Sequence, residues 1–423
     1  MSQSERLFED ISVVEFGLYA AVPYAAELFA HGGADVVKVE PIGGEPTRHR
    51  EAIIPMEGRQ YIIKSRGKRA IALDLKATDG LAIAKQLIAR SDVVLSNLRP
   101  GALERLGLGY DEISRDCPSV IYGEISAFGT KGPEGNKSGV DPTVQAGSGL
   151  VAAAGAIENG VPLSNEALLA DYMSGTQLAF GVTAALHQRE RTGQGQRVTT
   201  SLLQASLALM HAQASVFDAI DGWKTDFVHW LQEEGPSFEE AARQRRSNMA
   251  DRAWFGNTYE TADGAVSIAA LGPTREKLAT IIGIQDPAIT DSNWTMPDDP
   301  RSYIQELIDQ ARVLIKRFKT DELIEQLDEA GITCAPVRFL EDVLLGEQVK
   351  ANDYVYTADH PRVGPMTLPT PPVQFSDSRY EAATSSPAYA EHTHQILKEL
   401  GFDENSIEGL DDRGVIALND SAL

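Results

Sequence analysis

Cysteine is nearly missing from this chain: 423 residues carry two, Cys117 and Cys334. Two thiols so far apart give neither a disulfide framework nor a metal or redox spacing, and they predict structural thiols in a reducing compartment. Basic residues are also scarce, 38 Lys and Arg against 61 Asp and Glu for a net charge of −23. That balance argues against a nucleic-acid partner, and an anionic ligand would depend on a local basic cluster. No run of about 18 apolar residues occurs, so no membrane-spanning helix is predicted. Met1–Asp10 is polar and acidic where a signal peptide would be basic and then apolar, which predicts a cytoplasmic protein with no membrane partner. The first β-to-α turn reads Gly17-Leu18-Tyr19-Ala20-Ala21 and lacks G-x-G-x-x-G, and no G-x-x-x-x-G-K-[ST] occurs anywhere. Nicotinamide and P-loop nucleotide enzymes are therefore disfavoured.

What is present is an alternation of strand and helix patterns. Ile11–Phe16 is a short apolar run, Pro23 suits the first turn of a helix to about Ala30, Gly32-Gly33 stops it, and Asp35–Val39 is the next β-branched run. Strands are predicted again at Ala70–Leu75, Asp92–Ser96 and Val120–Ile125, with a helix at Thr78–Arg90 between the first two. Short buried runs alternating with helices predict an α/β fold with a mostly parallel sheet, whose ligands bind beyond the carboxyl ends of the strands. Residues 1–220 are expected to form the N-terminal part of this large domain. Residues 221–246 turn polar and charged around Gly235-Pro236 and read as a linker. Residues 247–335 are expected to form a smaller α+β domain, with a hairpin around Ala262-Asp263-Gly264 and helices at Thr274–Ile282, Arg301–Phe318 and Asp321–Ala330. Residues 336–423 are expected to link back to the large domain, with a helix at Thr393–Leu400.

The most informative stretch is Leu168-Leu169-Ala170-Asp171-Tyr172-Met173-Ser174-Gly175-Thr176, which opens a long helix. Ser174, Gly175 and Gly181 are small enough for a ligand or another backbone to approach closely. Asp171 alone reads first as a helix N-cap, because its oxygens suit the orphan N–H groups of a first turn, and only second as a nucleophile.

Its company separates those readings. Val14-Glu15-Phe16-Gly17-Leu18-Tyr19-Ala20-Ala21-Val22-Pro23-Tyr24, Gly33 to Pro41, Arg66 to Lys76, Ser91 to Gly101 and Glu104 to Tyr110 accompany it in order. Together these blocks closely resemble the class III CoA-transferases, the family of formyl-CoA:oxalate and carnitine CoA-transferases, from about Leu7 to about Ile416. The resemblance implies a Rossmann-like large domain and two chains threaded as interlocked rings in a homodimer; a heteromer with a related subunit is the alternative. It implies that Asp171 attacks an acyl-CoA, forming an aspartyl anhydride and then an aspartyl-CoA thioester, before a carboxylic-acid acceptor takes the CoA. Coenzyme A is then a substrate; no permanently bound cofactor and no metal is expected. Tyr19, Ala20, Ala21, Leu73, Lys76, Asn97, Leu98, Arg105 and Lys137 fall on the family's CoA-contacting positions, and Asp141 on an acidic position that helps arrange the site. A carboxylate at a helix N-terminus is expected to be ionised at neutral pH without a general base, and N–H groups near Ala20–Ala21 to stabilise the oxyanion.

The departures from the family also matter. Ala20 stands where formyl-CoA transferase has Gln, and Pro41 replaces a basic residue there. Racemases of the same fold carry a His where this chain has Val140, so racemisation is the weaker alternative; intramolecular CoA transfer and a non-catalytic subunit are the others. A glycine run before the small-domain hairpin, an active-site lid in the family, is reduced to Gly256 within Ser247–Asn257.

Overall fold

The computed structural model describes residues 5–248, 253–383 and 385–419, so Met1–Ser4 and residues 249–252 of the lid-like stretch lie outside it. The apolar runs form β1 (Ser12–Phe16), α1 (Ala21–His31), β2 (Asp35–Glu40), α2 (Arg59–Lys64), β3 (Arg69–Leu73), α3 (Thr78–Ala89), β4 (Val93–Ser96) and β5 (Ile121–Ser126). They are followed by α4 (Asp141–Ser148), the long α5 (Leu169–Thr192), β6 (Gln196–Ser201), α6 (Leu202–Leu209) and, near the end, β7 (Ile416–Ala417). The sheet order is β6-β5-β4-β1-β2-β3-β7. All neighbours are parallel except β7, which pairs antiparallel with β3 through Ile416 and Leu73.

Successive strand residues point to opposite faces, and here both faces are covered. Val14, Val37, Val94 and Tyr122 pack with Ile83 and Leu87 of α3 and with Ile396 and Leu397 of the helix Thr393–Leu400. Their neighbours Val13, Val36, Val93 and Ile121 pack on the other side with Val22 and Phe29 of α1 and Leu178 and Val182 of α5. Each such side chain contributes about 1.5–3 kcal/mol on burial, so a one-residue slip of any strand would exchange its two apolar sets between unlike cores.

The chain divides into two units, residues 1–216 with 353–423, and residues 217–352. The second unit holds a three-stranded antiparallel sheet of Gly256–Glu260, Ala265–Ala269 and Thr333–Pro336. Helices Thr274–Ile282, Pro300–Ile315 and Thr320–Glu329 accompany it, with Tyr259, Val266, Ile268, Leu278, Ile308 and Leu323 in its core. The polar stretch 221–246 is not an extended connector; it forms helices Gly222–Glu234 and Phe238–Asn248, neither with a buried residue. Among the described residues no helix is long and apolar enough to cross a membrane.

Candidate active site

The sheet reverses direction at its middle: from β1 the chain runs outward through β2 and β3, then returns to the other side of β1 for β4, β5 and β6. The switch point lies at the carboxyl ends of β1 and β4, where open α/β sheets bind their ligands. Two loops flank it, and Asn97 joins them, its Oδ1 accepting from the Leu18 N–H and its Nδ2 donating to the Leu18 carbonyl, both at 2.8 Å. The next residue, Tyr19, is left-handed with φ 63°. That conformation is costly for a bulky side chain and persists where its surroundings hold it.

The loop is also held from beneath. Lys38 Nζ donates to the Gly17 carbonyl at 2.8 Å and Lys68 Nζ to the Pro23 carbonyl at 2.7 Å. Both ammonium groups also bind Glu15, each at 2.7 Å, and all three side chains are buried. Burial pushes the Glu15 carboxyl up, but Lys38 and Lys68 outweigh it and hold the group below its usual range. A Cβ on Gly17 would meet Glu15 Oε1 at 2.6 Å, so this turn requires glycine. With carbonyls 17 and 23 tied down, the start of α1 is fixed with no side-chain cap on its first turn, which leaves orphan N–H donors suited to an anion.

The start of α5 meets the start of α1. A Cβ on Gly175 would lie 2.6 Å from the Ala21 carbonyl oxygen, so the close approach foreseen there is to a backbone, whereas a Cβ on Gly181 would meet the Val198 side chain at 2.8 Å. One turn earlier, the rings of Tyr172 and Tyr24 stand edge to face at 4.8 Å. Asp171 is the third residue of α5 and not its cap; Leu168 occupies the N-cap and offers no side-chain bond. The capping acceptor comes from 30 residues away: Asp141 Oδ2 accepts the Asp171 N–H at 2.9 Å. Asp141 is buried and hydrogen-bonded to the Gln145 amide, which also donates to the Ala167 carbonyl at 3.0 Å and accepts from Asn165 at 2.8 Å. Asp141 is thus a fixed support for the start of α5.

The expectation that Asp171 is fully ionised at neutral pH is corrected. Burial pushes its carboxyl up from 3.8 to about 7, Asp141 adds to the rise, and Lys64 opposes it. Lys64, at the end of α2, was missed in the sequence; burial drives its ammonium down to about 8, with Asp171 the leading charge acting in the other direction. The available signal was a lysine ending the apolar run Tyr61-Ile62-Ile63.

The other candidate residues follow β3, β4 and β5 along the same edge of the sheet. Leu73 is buried in the core and offers no free side chain. Lys76 is exposed in the turn after it, its N–H donating to Asp74 at 2.9 Å. Leu98 is half-buried beside Asn97, and Arg105 is exposed with its guanidinium against Gly101. Lys137 is exposed, paired with Glu134 at 2.7 Å and 5.2 Å from the centre of the Phe128 ring. The structure therefore gathers Tyr19, Ala20, Ala21, Asn97, Asp141 and Asp171 on the loops and helix starts around this switch point. It spreads Lys76, Arg105 and Lys137 along an edge that spans about 19 Å from β5 to β3 at roughly 4.8 Å per strand. Cys117 and Cys334 are free, and among the described residues no group of acidic, His or Cys side chains could hold a metal.

Residues 8–393 match CoA-transferase family III. The chain is 26% identical over 417 residues to the (R)-2-hydroxy-4-methylpentanoate CoA-transferase of Clostridioides difficile, covering 97% of this chain and 99% of that one. It is 29% identical to the formyl-CoA:oxalate CoA-transferase of Streptomyces coelicolor, again covering 97% and 99%. A crystal structure of a Mycobacterium tuberculosis protein shares the fold with a TM-score of 0.75 at 24% identity, covering 93% of this chain and all of that one. With the family matched along almost its entire length, this chain belongs to CoA-transferase family III and is a transferase acting on CoA thioesters.

Proposed function

We propose that the protein moves CoA from an acyl-CoA to a free carboxylic acid by covalent catalysis at Asp171. The observation that carries this is a carboxyl in the first turn of α5 with no ion-pair partner among the described residues, near the start of α1, which has no side-chain cap. An Asp171 oxygen attacks the thioester carbonyl, the C–S bond breaks, and CoA leaves as the thiolate, giving a mixed anhydride. The thiolate attacks the Asp171 carbonyl of the anhydride, the C–O bond breaks, and the donor's acid departs as a carboxylate. The acceptor carboxylate then attacks the aspartyl-CoA thioester and expels thiolate. That thiolate attacks the acceptor's carbonyl in the new anhydride, regenerating the Asp171 carboxylate and releasing the new thioester. No proton is consumed in the cycle. The N–H donors at Ala20–Ala21 are assigned to the oxyanions of these steps. Lys76, Asn97, Leu98 and Arg105 are assigned to the nucleotide and pantetheine, with Lys137 a weaker contact because Glu134 already engages it.

Val140 is half-exposed and carries no base beside Asp141, which favours transfer over racemisation. The relatives' names point to 2-hydroxy acids and to oxalate as acceptor classes to try first. Formyl-, succinyl- and 2-hydroxyacyl-CoA donors should be incubated with acid acceptors in deuterated water and the products read by mass spectrometry. Transfer without deuterium at the α-carbon is expected; deuterium incorporation at a rate matching or exceeding transfer would overturn the proposal. The reading also carries the interlocked homodimer, which light scattering would register as twice the 45.8 kDa chain.

A further inference from the structure

Five Lys and Arg side chains are buried among the described residues, and four have a carboxylate partner: Lys38 and Lys68 on Glu15, Arg48 on Glu40, and Arg66 on Glu27, at 2.5–2.7 Å. Lys64 is the exception. Its side chain is buried, no carboxylate of the described residues lies within 4.0 Å of its Nζ, and its hydrogen-bond partner is the neutral Gln60 amide oxygen at 2.7 Å. A buried ammonium without a counter-ion is costly. The other buried cations hold the fold together, so a lone one beside the reactive carboxyl implies a different use.

The groups facing it narrow that use. Asp171, Glu45 and Glu27 attract the Lys64 charge and Lys68 repels it. Glu45 is already 3.4 Å from Lys38, and Glu27 is bound by Arg66. Only Asp171 is uncommitted, and its charge disappears whenever it is acylated or carries CoA. At those stages the negative charge resides on the CoA thiolate or on the incoming acid.

Resting on the transferase reading, we propose that Lys64 is the fixed counter-cation of this migrating charge and that it docks the carboxylate of the incoming acid once Asp171 is a thioester. This deepens the assignment of the site by giving the acceptor an anchor distinct from the nucleophile and from the CoA-binding edge.

Lys64→Met removes the charge while leaving an apolar chain of similar length, so the fold is expected to survive; Lys64→Arg restores a cation. Two readouts separate this proposal from the transferase reading. Labelling of Asp171 by a water-soluble carbodiimide, which reacts with the protonated acid, needs no substrate. Its pH midpoint should rise by about one pH unit or more in Lys64→Met and return in Lys64→Arg. With the acceptor acid active in the panel above, Lys64→Met should raise KM for the acid about tenfold or more, with KM for the acyl-CoA little changed. An unmoved labelling midpoint, or an acid KM equal to the wild type, overturns the Lys64 proposal. If no acid in the panel accepts CoA, the transferase reading fails by itself, and the labelling midpoint still decides whether Lys64 is the counter-cation.

Discussion

Asp141→Asn is the most instructive single substitution, because it removes a charge from the site while keeping most of its shape. Asp171 titrates at about 7 against an ordinary 3.8, with burial the larger cause and Asp141 the second. The like-charge contribution is smaller than that of burial, and a change of about one pH unit would be equivalent to about 1.4 kcal/mol. An Asn oxygen can still accept the Asp171 N–H, but its amide nitrogen then faces the Gln145 amide that now donates to Asp141. One buried hydrogen bond is lost, costing about 1–3 kcal/mol of stability. The assay is the pH dependence of acyl-CoA consumption in the first half-reaction, followed by rapid quench. If the anion is the nucleophile, the rate climbs with pH through the Asp171 titration, and Asp141→Asn moves that limb from about 7 to about 6. At pH 6 the ionised fraction grows from roughly one-tenth to one-half, so the variant should be roughly fivefold faster there and equal to the wild type at pH 9. A limb that stays in place, or moves to higher pH, would refute the claim that Asp141 raises Asp171 through its charge.

Other perturbations test the supports of the site. Gly175→Ala puts a methyl group 2.6 Å from the Ala21 carbonyl oxygen; it should cost about 1–3 kcal/mol in denaturant unfolding and reduce turnover by shifting the start of α5. Arg105→Ala should weaken CoA binding roughly tenfold or more by calorimetry, and Lys137→Ala less, because Lys137 is exposed and shared with Glu134. Because the folded state raises the Asp171 pKa, the native protein binds that proton more tightly than the unfolded chain between 3.8 and about 7. Stability from this group is therefore full at the acid end and lost as pH rises through that window, by up to about 4 kcal/mol; Asp171→Asn should remove that pH dependence from the unfolding curve.

Much of the architecture was legible because parallel strands buried on both faces are written as uninterrupted apolar runs. β1, β2 and β4 lie within a residue or so of where those runs put them, and helices Thr274–Ile282 and Thr393–Leu400 begin and end where the periodicity does. The strand ends that carry the candidate residues were legible too, since they follow from which loops leave the carboxyl ends of the strands. What could not be read was anything set by contacts distant in sequence. The Asp141 cap on Asp171 spans 30 residues, and the Glu15 bridge between Lys38 and Lys68 joins three separate elements. The partial burial of Asp171, which raises its carboxyl to about 7 where full ionisation was expected, is likewise set by the tertiary fold. Lys64 escaped notice because a lysine among apolar residues reads as one exposed position of an amphipathic helix until its burial is known. The stretch 221–246 does hold an apolar stripe at Trp223, Phe227 and Trp230, whose rings meet in series at 6.4 and 5.8 Å, but the charged residues around it masked that period, and its two helices bury no residue.

Covalent bond formation at Asp171 is the proposed step on which the transfer cycle depends. Incubating the protein with formyl-, succinyl- or 2-hydroxyacyl-CoA and no acceptor, then digesting it and weighing the peptide that contains Asp171, tests this directly, because the first half-reactions need no second substrate. Acyl or CoA mass is expected on that residue, with conversion to a hydroxamate by hydroxylamine and loss of activity only when acyl-CoA is present, and no adduct on a folded Asp171→Asn variant. An unmodified Asp171 peptide from protein that is turning over acyl-CoA, or a fully active Asp171→Asn variant, would contradict it.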